Sequence, residues 1–227
     1  MNKGEFVSII GPSRMWQVKS TFYNLRSRRK NQSEIFILSG KSSSGISSEI
    51  GYMLQKDSLL EWRSIYSNVM LGLEIRHLKT KENEEYANNL LKKYGLYEFK
   101  DKYPSQLSGG MRQRVALIRT LAVRPKILLL DEAFSALDYQ TRMMVTNDIY
   151  NILREEQITA IIVTHDISES ISMSDKVIVL TSRPAKIKKV YKIDFDDIQN
   201  RTPINCRKSP KFSEYFDCLW KELDVHA

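Results

Sequence analysis

The sequence predicts an α/β domain with a mostly parallel sheet flanked by helices and a helical subdomain inserted into it. Three observations carry this. Short uninterrupted apolar runs recur along the chain, as expected of strands buried on both faces. Helical patterns separate them, the alternation of a doubly wound sheet. The stretch from residue 58 to 103 is rich in charge and has no strand pattern. The expected organisation is an α/β core from 1–57 and 104–193, the helical subdomain 58–103, and a loosely packed tail 194–227.

Taken in order, Glu5-Phe-Val-Ser-Ile-Ile10 reads as a strand stopped by Gly11-Pro12. Ile127-Leu-Leu-Leu130, Thr159-Ala-Ile-Ile-Val163 and Lys176-Val-Ile-Val-Leu180 read as further strands. Helices are expected over 81–94, 110–122, 139–156 and 167–173. The 227 residues suit one domain carrying an insertion and are enough to bury a large core. No apolar run approaches the ~18 residues of a membrane helix. The N-terminus lacks the apolar stretch of a signal peptide, so the chain is expected to stay in the cytosol.

Lys and Arg total 35 against 27 Asp and Glu, a net charge of +8. That excess fits a polyanionic partner such as nucleotide phosphate, nucleic acid or an anionic membrane, and equally fits ordinary solubility charge. Cys206 and Cys218 lack metal-ligand spacing and read as free thiols. With three histidines in all, a His-rich metal site is excluded.

The strongest motif is Leu107-Ser-Gly-Gly110, at the start of a helical run. Ser108 can cap that helix. Gly109 and Gly110 allow backbone N–H groups close to a ligand, and a glycine-rich helix N-terminus is an anion site. Next, the run Ile127–Leu130 ends in Asp131-Glu132. A buried strand thus delivers two carboxylates to the sheet edge where ligands bind. Asp131 is suited to hold Mg²⁺ and Glu132 to polarise an attacking water. Ser135-Ala-Leu-Asp138 follows, and a later strand ends in Val163-Thr-His165-Asp166. At that strand end His165 is placed to reach a terminal phosphate.

Together these segments resemble the nucleotide-binding subunit of an ATP-binding-cassette (ABC) transporter, a P-loop NTPase-like fold. The likeness runs from Gly4 to about Ile187. Leu107 to Gly110 resembles the family signature, Leu128 to Glu132 the Walker B strand, Ser135 to Asp138 the D-loop, His165 the switch histidine, and Gln55 the Q-loop glutamine. The resemblance implies ATP and Mg²⁺ as ligands. It implies a nucleotide site of Gly11, Pro12, Ser13, Lys19, Ser20, Thr21, Gln55, Ser108, Gly109, Gly110 and Asp138. It gives Ser20, Gln55 and Asp131 to the metal, and Glu132 and His165 to catalysis. It also implies a homodimer, docking on transmembrane permease subunits at the inner face of the cell membrane, and indirect service to a solute-binding protein. The segments from Leu59 to Gly72 and from Leu180 to Ile187 resemble the branch importing nitrate, sulfonate, taurine and related small solutes.

Two departures stand out. The phosphate loop needs a second Gly at residue 16 and a Lys at residue 17, but Trp16 and Gln17 stand there, and Lys19-Ser20-Thr21 comes two residues late. Codons for Gly-Cys-Gly-Lys read one base out of frame can encode Arg-Met-Trp-Gln, so a compensated frameshift accounts for the change. The family also carries two strands and an adenine-stacking aromatic ahead of this loop, and no residue here takes that role. These departures keep a catalytically impaired cassette remnant as an alternative. A soluble cassette ATPase acting on nucleic acid is a further one. Neither a paired cassette nor a coiled-coil insertion supports the latter, and no nucleic acid is expected as partner.

Overall fold

The computed structural model describes residues 1–11, 36–38, 41–43, 49–182 and 186–223, with backbone only for 36–38 and 41–43. The strands are β1 (Phe6–Ile10), β2 (Phe36–Leu38), β3 (Lys41–Ser43), β4 (Ile50–Met53), β5 (Ile127–Asp131), β6 (Thr159–Val163), β7 (Lys176–Leu180) and β8 (Ile187–Lys192). The α-helices are α1 (Ile65–Ile75), α2 (Lys81–Lys93), α3 (Gly109–Leu121), α4 (Tyr139–Glu155), α5 (Ile167–Met173), α6 (Pro203–Cys206) and α7 (Pro210–Leu223).

Six strands form one sheet in the order β4-β5-β6-β1-β7-β8. Every pair is parallel except β7 with β8. β2 and β3 pair antiparallel in a separate ribbon. Leu128 and Leu130 are fully buried and Leu129 is 4% exposed, so β5 is covered on both faces, as its unbroken apolar run requires. β8, by contrast, is an edge strand with its side chains largely exposed.

Helix starts follow the local chemistry. Ser64, Thr80, Ser108, Asp138, Asp166 and Thr202 each accept a backbone N–H at a helix N-terminus. The larger apolar cluster joins α1, α2, α3 and α4 to the sheet. The second gathers Ile10, Val177, Val179, Ile167, Ile171, Cys206 and Leu219. This cluster corrects the expectation of a loose tail. α7 packs on α5, and Leu219 is fully buried. Both cysteines are free thiols, Cys206 buried and Cys218 exposed.

Gly51 is required by close packing between β4 and α3. A Cβ there would lie 2.7 Å from Thr120 Cγ2, 3.1 Å from Pro125 Cγ and 3.2 Å from Leu128 Cδ1. Thr120 is branched at Cβ, and its hydroxyl is bonded to Ala116 O, so it yields poorly. Gly51→Ala is expected to lower stability by ~1–3 kcal/mol in a denaturant titration, through overpacking. An unchanged midpoint would show that the sheet can part from α3 at little cost.

Candidate functional site

The carboxyl ends of β4, β5, β6 and β1 lie side by side, and most of the described candidate residues sit on or just beyond them. Ligands of open α/β sheets bind at this edge. Asp131 is the last residue of β5 and is 7% exposed. The Tyr52 hydroxyl, on neighbouring β4, donates to Asp131 Oδ2 at 2.9 Å. Glu132 follows with a φ of 47°. A left-handed conformation costs a non-glycine residue roughly 1–2 kcal/mol. The Glu132 N–H donates to Val163 O at 2.8 Å, so pairing to β6 holds the turn in place. The turned side chain puts Glu132 Oε1 3.7 Å from His165 Nδ1. His165 itself is 65% exposed, open to anything bound over the edge.

Gln55, just past β4, donates from Nε2 to Ser135 Oγ at 3.0 Å, and Ser135 Oγ donates to Glu132 O at 3.0 Å. The glutamine is thereby tied to the loop that carries the candidate base. Asp138 caps α4 by accepting from Thr141 N–H at 3.0 Å, and the Thr141 hydroxyl first and this N–H second hold its carboxyl below the ordinary range. Gly11 is described and buried at the end of β1. Pro12, Ser13, Lys19, Ser20 and Thr21 lie outside the described residues, as do Trp16 and Gln17.

The described residues fit a hard cation such as Mg²⁺. Asp131 offers a carboxylate and Gln55 an amide oxygen, and the described residues hold no cluster of three metal-ligating side chains. Mg²⁺ is held in this way by one or two carboxylates with substrate phosphates and water.

Ser108 caps α3 and Gly109 and Gly110 open it, with a Cβ on Gly109 standing 3.3 Å from Leu137 Cδ2. Ser108 Oγ accepts from Met111 N–H at 3.3 Å, and Ser108 and Gly109 are exposed. Gly110 is buried, and a Cβ there would fall 2.8 Å from Val145 Cγ2. Its lack of a side chain therefore serves the contact of α3 with α4, a reason the motif alone did not reveal.

Sequence reasoning also missed a clamp behind Gln55. Arg112 of α3 donates to Asp57 Oδ2 at 2.8 Å and to Glu61 Oε1 at 2.6 Å. Arg119 donates to the carbonyls of Ser58 and Asp57 at 2.7 and 2.6 Å. Burial pushes the Asp57 carboxyl up, but the Arg112 bond, the Leu59 N–H and the charges of Arg112 and Arg119 together leave it below its ordinary value. The segment after Gln55 is thus fastened to the helix that begins at Ser108-Gly109-Gly110. Arg112 and Arg119, seven residues apart on one helix face, were the available signal.

An acid pair and a histidine at the carboxyl edge of a mostly parallel sheet fit a nucleotide-binding α/β domain. Residues 1–135 match the family model described as ABC transporter, and the chain belongs to that family. It is 43% identical over 98% of its length to the uncharacterized ABC transporter ATP-binding protein YtlC of Bacillus subtilis, covering 85% of that protein. It is 35% identical to the nitrate import ATP-binding protein NrtD of Synechocystis, over 94% of this chain and 81% of NrtD. The taurine import ATP-binding protein TauB of Jannaschia is 33% identical, over 94% of this chain and 80% of TauB.

Two solved structures match the fold. One is cbiO1 of Clostridium perfringens, part of an ABC transporter complex, with TM-score 0.70 and 25% identity over 96% of this chain and 85% of that one. The other is a dimeric ATP-binding cassette in a post-hydrolysis state with ADP and Pi, with TM-score 0.64 and 28% identity over 86% of this chain and 88% of that one. The fold expectation is met, and the chain is an ABC-type ATPase domain by family. Among the described residues no helix is long and apolar enough to cross a membrane.

Proposed function

We propose that this chain is the ATPase subunit of an importer for nitrate, sulfonate, taurine or a similar small solute. The observation that carries the hydrolytic part is the turned Glu132 beside His165, at the end of a strand that also presents Asp131. Asp131, with Gln55 and Ser20, would hold Mg²⁺, which when bound neutralises phosphate charge. Glu132 would accept the proton of the attacking water. His165 would donate to the terminal phosphate.

Two copies would pair about a two-fold axis. Each would offer Ser108, Gly109 and Gly110 to the nucleotide held by the other, with Asp138 at the junction. The exposure of Ser108 and Gly109 supports this. The chain would work in the cytoplasm, peripheral to the inner face of the membrane, on a permease served by a solute-binding protein. The importer branch rests on the likeness to NrtD and TauB.

The clamp through Arg112 and Arg119 supports a mechanical link between permease and nucleotide. Trp62 is 75% exposed in the clamped segment's continuation, where Arg63 pairs with Glu74 at 2.8 Å. Exposed Trp beside Arg is the composition of an interface anchor. Trp62→Ala is expected to weaken permease association by ~2 kcal/mol or more without changing the thermal melt. A pull-down with the cognate permease checks this, and retained association would discard the docking role.

A second reading is a cassette that keeps fold and partner surface but binds ATP poorly. The residues Arg14 to Val18, standing where the family loop has Gly-Cys-Gly, favour it. The experiment separating the two readings is a Mg-ATP titration of the purified chain.

A further inference from the structure

His165 stands between two residues joined in a closed circuit of hydrogen bonds. The Thr164 hydroxyl donates to Glu169 Oε2 at 2.8 Å and accepts from the Asp166 N–H at 3.0 Å. Asp166 Oδ1 in turn accepts from the Glu169 N–H at 3.1 Å. Thr164 and Glu169 are 2% and 3% exposed. The exposed imidazole is therefore mounted on a buried polar frame.

We propose that Glu169 is a positioning residue for His165, holding residues 164–166 through the Thr164 hydroxyl, and that this buried frame as a whole opens more readily when its carboxyl must carry a charge. The consequence for hydrolysis rests on the role given to His165 above; the frame itself does not.

The surroundings explain why ionisation matters. Asp166 adds a negative charge on the same helix start. Arg142 of α4, with Nη1 3.6 Å from Asp166 Oδ2, and Arg207 just past α6 act in the opposite sense. Among the described residues none of the ion pairs involves Glu169. α6 also brings the titratable thiol of Cys206, while β1 and α7 meet α5 through Ile10 and Leu219. Burial first, and the Asp166 charge second, raise the Glu169 carboxyl to about 7, against the Thr164 hydroxyl bond, which favours the ionised form. A carboxyl raised in the folded state contributes stability that is full below its unfolded value and lost as pH rises through the folded one. The frame is thus firm when Glu169 is protonated. It loosens once a buried charge must be accommodated beside Asp166.

Residue-resolved amide hydrogen exchange on the full chain tests this without requiring ATP. After correction for intrinsic exchange, protection of the Asp166 amide is expected to fall about tenfold between about pH 6 and about pH 8, the change that a proton linkage of one unit produces. In Glu169→Gln the amide oxygen still accepts from Thr164, so protection should persist and lose its pH dependence. In Glu169→Ala it should drop at both pH values while the β6 amides stay protected. A pH step that persists in Glu169→Gln, or no step in the parent, overturns the proposal. Equal loss of protection across β6 and α5 in Glu169→Ala also overturns it, by making the residue a general structural one. Should Glu169→Ala not fold, the Glu169→Gln comparison alone decides.

Discussion

Replacing Glu132 by Gln is expected to slow ATP hydrolysis by ~10²–10⁴-fold while nucleotide binding stays intact, because a general base is lost and no phosphate contact is removed. The geometry explains why the effect should be that large. The left-handed backbone at Glu132 is held by its N–H bond to Val163 O, and it aims the carboxylate toward His165. Gln is nearly isosteric, so the turn and its bond to β6 should survive. The measurement is single-turnover hydrolysis beside a nucleotide titration, both made in the chain whose phosphate loop has been restored. Equal turnover in Glu132→Gln and its parent would reject the assignment. Asp131→Asn should act differently, by weakening the Mg²⁺ dependence of binding.

The second large effect concerns that loop. Replacing residues 14–18 by Gly-Cys-Gly restores a Gly-x-x-x-x-Gly-Lys-Ser spacing from Gly11, and is expected to tighten Mg-ATP binding by about tenfold or more, ~1.4 kcal/mol. Two physical terms set the direction. Non-glycine residues at positions needing left-handed backbone cost ~1–2 kcal/mol each. The indole of Trp16 is also far bulkier than the glycine the pattern has there. Calorimetric titration of both chains checks the result. Low-micromolar binding by the parent, unchanged on repair, would show that Lys19 reaches the phosphates despite its displacement. Sequencing the gene across these codons tests the frameshift origin separately.

Much of the sheet was legible because its central strands are covered on both faces. Ile127–Leu130, Thr159–Val163 and Lys176–Leu180 are dominated by apolar side chains, and each is a strand at or within one residue of those bounds. The helices expected over 81–94, 110–122, 139–156 and 167–173 likewise stand within one residue of those bounds. β4 was not legible. It has four residues, and Gly51, required by the close approach of α3, interrupts its strand propensity. β8 was missed because an exposed edge strand with several lysines carries no burial signal. α7 was read as loose tail, since the amphipathic face of Leu219 and Phe216 gains meaning only against α5 and β7.

For the site, the candidate groups were legible in the chain alone. Asp131-Glu132 and His165 are named by the strands that end there, because a buried strand must deliver its next polar residues to the sheet edge. Tertiary structure alone decided their relations. Strand order β5-β6 puts Glu132 within 3.7 Å of His165, although 33 positions separate them in the chain. The same holds for Arg112 on Asp57, and for Tyr52 on Asp131. Local patterns fix which groups a strand or helix exposes, through burial and backbone periodicity. Which groups then meet depends on the order and register of packed elements, which side-chain type does not encode one residue at a time.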